Sequence, residues 1–225
     1  MKAINWSSKH RIFLVSILAS LVLLLIVSGI ASADEDSIRL IDTVEGSFTV
    51  TSGAVGMFNN STARITVDVT GTPETVILTW SGRGPNPDDT ITISVNGGPA
   101  FPVTADLVEE FNANCCSSDN YSYYKEIPAT LFTTGVNNVQ IFDLSITESH
   151  GATLTVVSFS PTLPRTQVAR YWGLDNFHER WSGIFGPNSQ VVCHDFEAAK
   201  KDRNMNVIMT AGGIQNEFRP NRIWY

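Results

Sequence analysis

Short runs of alternating polar and apolar residues constrain the fold of this chain more than any other feature. Residues 64–70 ("RITVDVT") and 90–95 ("TITISV") alternate strictly, so an extended backbone would place apolar side chains on one face and polar ones on the other. The second run ends at the turn sequence Asn96-Gly97-Gly98. Many such runs, spaced about ten residues apart and separated by Gly, Pro and Asn, predict an all-β fold. The favoured architecture is an antiparallel two-sheet β-sandwich of jelly-roll or Greek-key type.

Weaker patterns complete this prediction. The stretch "HGATLTVV" predicts a strand over residues 151–157, with His150 as a loop residue at its entrance. Helical patterns are too short to form a packing layer; they cover residues 106–111, 128–132 and 196–201. Further strands are predicted at residues 48–51, 75–80, 139–144, 167–172 and 206–210.

The first 33 residues have the order of a secretory leader. Basic residues precede an apolar run over residues 12–30, which is followed by the small-residue site Ala31-Ser32-Ala33. The run is longer than the ~7–15 residues usual in a signal peptide and approaches the ~20 that span a bilayer. We therefore expect a cleaved signal peptide over residues 1–33, with an uncleaved transmembrane anchor as the alternative. Residues 34–225 are expected to form a single β-sandwich domain, which the abrupt ending "RPNRIWY" suggests is truncated.

The charge balance bears on possible partners. The chain has 15 basic and 22 acidic residues, and residues 1–33 hold three of the basic ones and none of the acidic ones. Without residues 1–33 the net charge is −10, which disfavours nucleic acid and anionic lipid as partners. We expect a secreted or cell-surface protein that touches the membrane only through residues 12–30.

Export would permit a disulfide among the three cysteines. Cys115 and Cys116 are adjacent, and neighbouring Cα atoms are about 3.8 Å apart, closer than the usual disulfide span. A bond from Cys193 to Cys115 or Cys116 is the better expectation, and three free thiols are the alternative.

Asp88 and Asp89 follow the loop sequence "GPNP" and are the candidate metal site. Carboxylates and backbone carbonyls suit calcium, which takes about 6–8 oxygen ligands. The alternative is turn chemistry, in which the aspartates accept hydrogen bonds from exposed backbone amides. No other cofactor is expected.

The aromatic residues offer a candidate ligand surface. Trp172 and Trp181 could stack on the C–H face of a sugar ring, and Trp181 lies in a loop between Arg180 and Ser182. The alternative is packing within the sheets, which takes up most aromatic residues of β-sandwiches.

Several motifs resemble an N-terminal β-sandwich module of exported bacterial and archaeal surface proteins, which are adhesin-like and built of many modules. The motifs lie at residues 80–82 ("WSG"), 123–124 ("YY"), 135–138 ("GVNN"), 151–157 ("GATLTVV") and 171–175 ("YWGLD"). The resemblance implies a non-catalytic extracellular role, structural or adhesive. It implies other modules, or ligands such as glycans, as partners, and it supplies no catalytic residues.

Two alternatives to this role stay open. One is a carbohydrate-binding module that uses exposed aromatic residues. The other is a secreted hydrolase with acids such as Asp175, Glu179 or Asp195, which the sequence cannot bring into a pair. The segment "CHDFE" at residues 193–197 is interpreted as an acidic edge strand, because alternation points His194 away from the neighbouring carboxylates.

Overall fold

The computed structural model describes residues 38–58, 60–111, 119–175, 191–195 and 201–210. This part of the chain is all-β with antiparallel pairing, and its one helical element is a single 3-10 turn at Ala129–Leu131, so the all-β, antiparallel part of the predicted fold class is confirmed. The strands are β1 (Arg39–Gly46), β2 (Phe48–Gly56), β3 (Ala63–Val69), β4 (Thr72–Gly84), β5 (Thr90–Val95), β6 (Phe101–Thr104), β7 (Leu107–Phe111), β8 (Asp119–Ile127), β9 (Gly135–Phe142), β10 (Glu148–Phe159) and β11 (Thr166–Trp172).

The predicted leader, residues 1–33, with the apolar run that we expect to form a signal or anchor helix, lies outside the described residues. The chain separates into two compact units, and the second, Asp36–Tyr225, contains every described strand. None of the described residues belongs to a helix with the length and hydrophobicity needed to cross a bilayer.

Three antiparallel sheets contain all eleven described strands. The largest has the order β2-β10-β4-β8-β7, the second has the order β3-β9-β5-β6, and β1 pairs with β11 alone. The alternation of polar and apolar residues sets which faces are buried: in β3, Ile65, Val67 and Val69 are buried while the residues between them are exposed.

One hydrophobic core draws side chains from both of the larger sheets. Trp80 of β4 stacks on Tyr123 of β8 with ring centroids 5.2 Å apart, and both rings are almost completely buried. Leu154 of β10 and Ile141 of β9 are completely buried in the same core. Burial of this kind stabilises a fold by about 1.5–3 kcal/mol for each large apolar side chain.

The turn between β8 and β9 is fixed by the amide of Asn137, which has no exposed surface. Its Nδ2 donates to the carbonyl oxygens of Thr133 at 2.6 Å and Gly135 at 2.8 Å. Its Oδ1 accepts from the backbone N–H of Thr133 at 3.0 Å and from Nδ2 of Asn96 at 2.9 Å. All four hydrogen bonds that an amide side chain can make are therefore formed.

β1 and β11 continue the pairing of β2 with β10 as a two-stranded ribbon. Phe48 is paired with Phe159 and, beyond Ser47, Gly46 is paired with Thr166. Only Ser47 separates β1 from β2, whereas residues 160–165 connect β10 to β11, and the backbone N–H of Ser160 donates to the carbonyl oxygen of Ser47 at 2.9 Å.

The structure corrects four of the local predictions. One is the edge strand expected at residues 193–197, whose described residues 193–195 belong to no strand. Residues 106–111, predicted as helical turns, contain strand β7, because pairing with β8 outweighs the helical preference of this short segment. His150 lies within β10 and not in a loop, since β10 begins at Glu148. Residues 206–210, predicted as a strand, are exposed and belong to no strand. The 3-10 turn at Ala129–Leu131 confirms the turn predicted over residues 128–132.

Candidate functional site

The richest cluster of polar and aromatic side chains lies on one face of the β1–β11 ribbon. Arg170 and Trp172 are two residues apart on β11 and therefore point to the same side of the strand. In the register of the ribbon, Arg170 is opposite Asp42 and Trp172 is opposite Arg39. A register shift between Leu40 and Asp42 marks an irregularity in β1 beside these pairs.

Trp172 joins the ribbon to the five-stranded sheet. It packs edge-to-face against Tyr124 of β8, with ring centroids 5.9 Å apart, and forms with Tyr124 and Ile77 a second, small apolar cluster. The Arg39 guanidinium lies 5.3 Å from the centroid of the Trp172 ring, within the range of a cation–π contact. Arg39 also forms an ion pair with Glu109 of β7, which fastens the end of the ribbon to the edge of the sheet.

Arg170 and Asp42 form a bidentate ion pair. Both Nε and Nη2 of Arg170 donate to the two carboxylate oxygens of Asp42, and the Arg170 side chain is almost fully buried. The hydrogen bonds to Asp42 raise the pKa of Arg170, despite the opposing effect of burial. Burial raises the pKa of the nearby Tyr124 hydroxyl, although the positive charge of Arg170 acts against this rise.

Two donors in this cluster have no acceptor among the described residues. They are Nη1 of Arg170 and Nε1 of Trp172, both buried. A buried N–H without an acceptor costs about 1–3 kcal/mol, so this ribbon is less completely satisfied than the Asn137 turn. Asp42, the acid opposite Arg170, is already paired with it.

Burial of Trp172 bears on the predicted sugar-binding surface. The ring is only 7% exposed and is covered by Tyr124 and Arg39, so it offers no open face for stacking on a sugar. Trp181, the other predicted ligand-binding residue, lies outside the described residues. Tyr121 and Tyr123 are core residues, as the packing alternative expects.

Both carboxylates of the predicted metal site, Asp88 and Asp89, accept hydrogen bonds from other residues of the domain. The carboxylate of Asp88 accepts a hydrogen bond from the backbone N–H of Ser145. The backbone N–H of Asp88 donates to the Tyr123 hydroxyl at 2.7 Å. The Asp89 carboxylate accepts from the Thr90 hydroxyl at 3.1 Å. Across the described ranges, no group of three or more His, Cys, Asp or Glu residues is arranged to hold a metal ion. Asp88 thus accepts a hydrogen bond from a backbone amide, as the turn-chemistry alternative expects, and calcium binding stays a prediction.

The predicted disulfide stays a prediction. Cys193 is an exposed free thiol here, whereas Cys115 and Cys116 lie outside the described residues. Next to it, His194 contacts β11: its Nδ1 lies 2.6 Å from the Tyr171 hydroxyl, and the two rings meet edge-to-face. Tyr171 points to the side of β11 opposite to Arg170 and Trp172, so the His194 contact is separate from the ion-paired cluster.

His150 has an environment that the loop interpretation did not anticipate. Burial lowers the pKa of His150, the positive charge of Arg83 lowers it further, and the nearby Glu148 carboxylate opposes both. Arg83 and Glu148 are themselves joined by an ion pair of 2.6 Å.

Comparisons of the chain with protein-family models, with curated proteins and with solved structures give no match.

Sequence reasoning missed the pairing of Asp42 with Arg170 and the contact of Trp172 with Tyr124. Each residue pair is more than forty positions apart in the chain, and nothing in the local pattern of either strand identifies its partner. Knowing that β1 pairs with β11 would have revealed the first pair, since the two residues are then directly opposite.

Proposed function

We propose that this chain is an exported β-sandwich module with a non-catalytic role, structural or adhesive, at the cell surface. In this proposal residues 1–33 direct export, and the β-domain presents its surface to partners outside the cell. Other modules of a surface protein, or extracellular ligands such as glycans, are its partners.

The sandwich architecture is supported by the shared core. Val76 and Leu78 of β4, in the five-stranded sheet, belong to the same buried cluster as Ile65 of β3 and Ile93 of β5, in the four-stranded sheet. Two antiparallel sheets that bury their apolar faces together form the layers of a sandwich. The orders β2-β10-β4-β8-β7 and β3-β9-β5-β6 place non-consecutive strands side by side, as Greek-key connections do.

The observation that carries the proposed role is the pairing of Arg39 with Trp172. The first residue of the first described strand and the last residue of the last described strand are cross-strand neighbours. The chain therefore enters and leaves the described β-fold at one point. A module attached in this way projects its remaining surface away from the attachment point, which suits display.

The contacts of the polar residues support a structural role over turnover. The Asp88 carboxylate fixes the backbone of Ser145, and the Asp42 carboxylate is paired with Arg170. The amide of Asn137 fixes a turn. In each case a polar group that could otherwise take part in catalysis forms a hydrogen bond or an ion pair that stabilises the fold.

Export is tested with the full chain carrying a C-terminal epitope tag in a bacterial host. The proposal expects the tag at the cell surface or in the medium, where added protease degrades it while the cells stay intact. A matched variant in which three leucines of residues 12–30 become arginine should keep the protein inside. Tag protected from protease in the unaltered chain would contradict the proposal.

The role itself is tested on the exported protein with a glycan array and a panel of glycoside, peptide and ester substrates. Turnover that falls when Asp175, Glu179 or Asp195 is replaced by its amide would overturn the non-catalytic role. Glycan binding that is lost in Trp181→Ala but kept in Trp172→Phe would favour the carbohydrate-binding alternative.

A further inference from the structure

The turn that follows β5 contains an asparagine directly before a glycine. Asn96 and Gly97 are its two central residues, and both have positive φ angles, of 51° and 75°. The turn is closed by the backbone N–H of Gly98, which donates to the carbonyl oxygen of Val95 at 2.9 Å. Positive φ at both central positions defines a type I′ turn, which Asn-Gly sequences favour. Asn96-Gly97 is the only Asn-Gly pair in the chain.

This pair of residues carries the groups needed for a reaction with itself. The backbone nitrogen of Gly97, once it has lost its proton, can form a bond to Cγ of Asn96. The bond from Cγ to Nδ2 then breaks and ammonia leaves, so the product is a cyclic succinimide. Water opens the succinimide at either carbonyl and gives aspartate or isoaspartate at position 96. The net change is hydrolysis of the side-chain amide, with water as the only co-reactant.

The attacking nitrogen of Gly97 is accessible. Gly97 is exposed, and a Cβ built on it would meet no atom within 4 Å. Its N–H donates no hydrogen bond in the described contacts. Glycine also has more backbone freedom than any other residue. Neither packing nor a described hydrogen bond therefore keeps this nitrogen away from Cγ of Asn96.

The side chain of Asn96, in contrast, is held at both ends of its amide. Its Nδ2 donates to Oδ1 of Asn137 at 2.9 Å and to the carbonyl oxygen of Leu131 at 3.4 Å. Its Oδ1 accepts from the backbone N–H of Asn138 at 2.8 Å. The reaction turns Cγ towards Gly97 and expels Nδ2, so it requires that these hydrogen bonds break. The network around Asn96 therefore slows the reaction in the folded protein.

The product at position 96 could not form the same network. A carboxylate has no N–H to donate, so Oδ1 of Asn137 and the carbonyl oxygen of Leu131 would face a negatively charged oxygen. The Asn137 side chain has no exposed surface, and a contact between two acceptors is most costly where water is excluded. Isoaspartate would in addition lengthen the backbone of the turn. Either product weakens the link between the turn after β5 and the turn before β9.

We propose that Asn96 and Gly97 form a self-modification site whose rate is set by the hydrogen-bond network with Asn137. The closed turn keeps Asn96 as an amide. Local opening of the turn exposes Cγ to attack by Gly97, and the charge that results prevents the network from forming again. Water does not return the amide, so the modified fraction records how long the turn has spent open. This inference goes beyond the proposed role at the cell surface and does not depend on export.

The first test follows the full chain at neutral to mildly alkaline pH by peptide mapping with mass spectrometry and by an isoaspartate assay. In guanidinium chloride, position 96 should be the first asparagine to convert, because it alone precedes a glycine. In the folded protein the same conversion should be at least about tenfold slower, since the network must open first. It should also become faster as the pH rises, because the attacking nitrogen must lose its proton. Equal rates at position 96 in the folded and the unfolded protein would overturn the proposal.

The second test uses variants to identify the network as the cause. Asn137→Ala removes an acceptor of Nδ2 and should raise the rate at position 96 in the folded protein by about fivefold or more. The matched control Asn138→Ala keeps the backbone N–H that donates to Asn96 and should react like the unaltered protein. Asp42→Ala breaks the ion pair with Arg170 in the β1–β11 ribbon and controls for a general loss of stability. An unchanged rate in Asn137→Ala, or the same acceleration in Asp42→Ala, would overturn the role of the network.

A third measurement does not depend on whether Asn137→Ala folds. Asn96→Asp makes one product directly and should melt at a lower temperature than the unaltered protein. The matched control Asn138→Asp adds the same charge but keeps the acceptor for the Thr66 hydroxyl, and it should melt close to the unaltered protein. An Asn96→Asp variant as stable as the unaltered protein would overturn the consequence assigned to the modification.

Discussion

Asn96 donates a hydrogen bond from its side-chain amide to Oδ1 of Asn137, 2.9 Å away and 41 residues later in the chain. This bond links the hairpin turn after β5 to the turn before β9. The Oδ1 of Asn96 in return accepts from the backbone N–H of Asn138 at 2.8 Å. Two adjacent strands of the four-stranded sheet are thereby held in register by side chains as well as by their own backbone ladder.

Replacing Asn137 by alanine should be strongly destabilising. The change leaves the backbone N–H and C=O of Thr133 and the amide of Asn96 without their present partners. Thr133 and Asn96 are exposed, so water can replace part of what they lose. At about 0.5–1.5 kcal/mol net for each hydrogen bond, we expect a total loss of about 2 kcal/mol in the free energy of unfolding. Urea denaturation measures it. Asn138→Ala removes only a surface hydrogen bond with Thr66 and serves as the control; an equal loss in both variants would contradict the assigned role.

The ion pair between Asp42 and Arg170 should behave as a partly buried pair. Asp42→Ala leaves the Arg170 guanidinium buried without its carboxylate, and we expect a loss of about 2–3 kcal/mol, below the 3–5 typical of fully buried pairs because Asp42 is partly exposed.

The double variant Asp42→Leu/Arg170→Met should recover much of this stability, since it removes both charges together. Thermal unfolding of Asp42→Leu, Arg170→Met, the double variant and the unaltered protein forms a complete double-mutant cycle. Strictly additive losses would show that the two side chains do not interact.

The sequence predicted the strands whose alternation is strong and missed what depends on partners far along the chain. The runs at residues 64–70 and 90–95 correspond to β3 and β5 almost residue for residue, because alternation alone decides which face is buried. Residues 107–111 have a helical composition but pair with β8, and only the sheet supplies that information. The packing of Trp172 against Tyr124 likewise follows from the ribbon and not from either strand's own pattern.

Asp88 and Asp89 should differ in their effect on stability. The Asp88 carboxylate fixes the backbone of Ser145, 57 residues away, whereas that of Asp89 accepts a hydrogen bond only from the adjacent Thr90 hydroxyl in the described contacts. We expect Asp88→Ala to cost about 1–2 kcal/mol, as loss of a charge-assisted hydrogen bond does, and Asp89→Ala to cost much less.

Adding calcium distinguishes a structural role of Asp88 and Asp89 in the loop from a calcium site. If the two aspartates only organise the loop, millimolar calcium leaves the melting temperature and both variant effects unchanged. A rise in melting temperature with calcium that disappears in Asp88→Ala and in Asp89→Ala alike would establish the metal site instead.

His150 should make the domain sensitive to mild acid. Burial and the charge of Arg83 hold the pKa of His150 below its ordinary value of 6.5, so the unfolded chain binds a proton at a higher pH than the folded one does. The contribution of the neutral His150 imidazole to the free energy of unfolding is therefore fully present above pH 6.5. It is lost as the pH falls towards the pKa of His150 in the folded protein. For one group the slope of the free energy of unfolding against pH cannot exceed about 1.4 kcal/mol per pH unit.

Urea denaturation between pH 7.5 and pH 5 should show a smaller decline for His150→Gln than for the unaltered protein. Arg83→Gln should also reduce the decline, because it removes a positive charge that disfavours the imidazolium. Parallel pH profiles for all three proteins would refute a buried neutral His150.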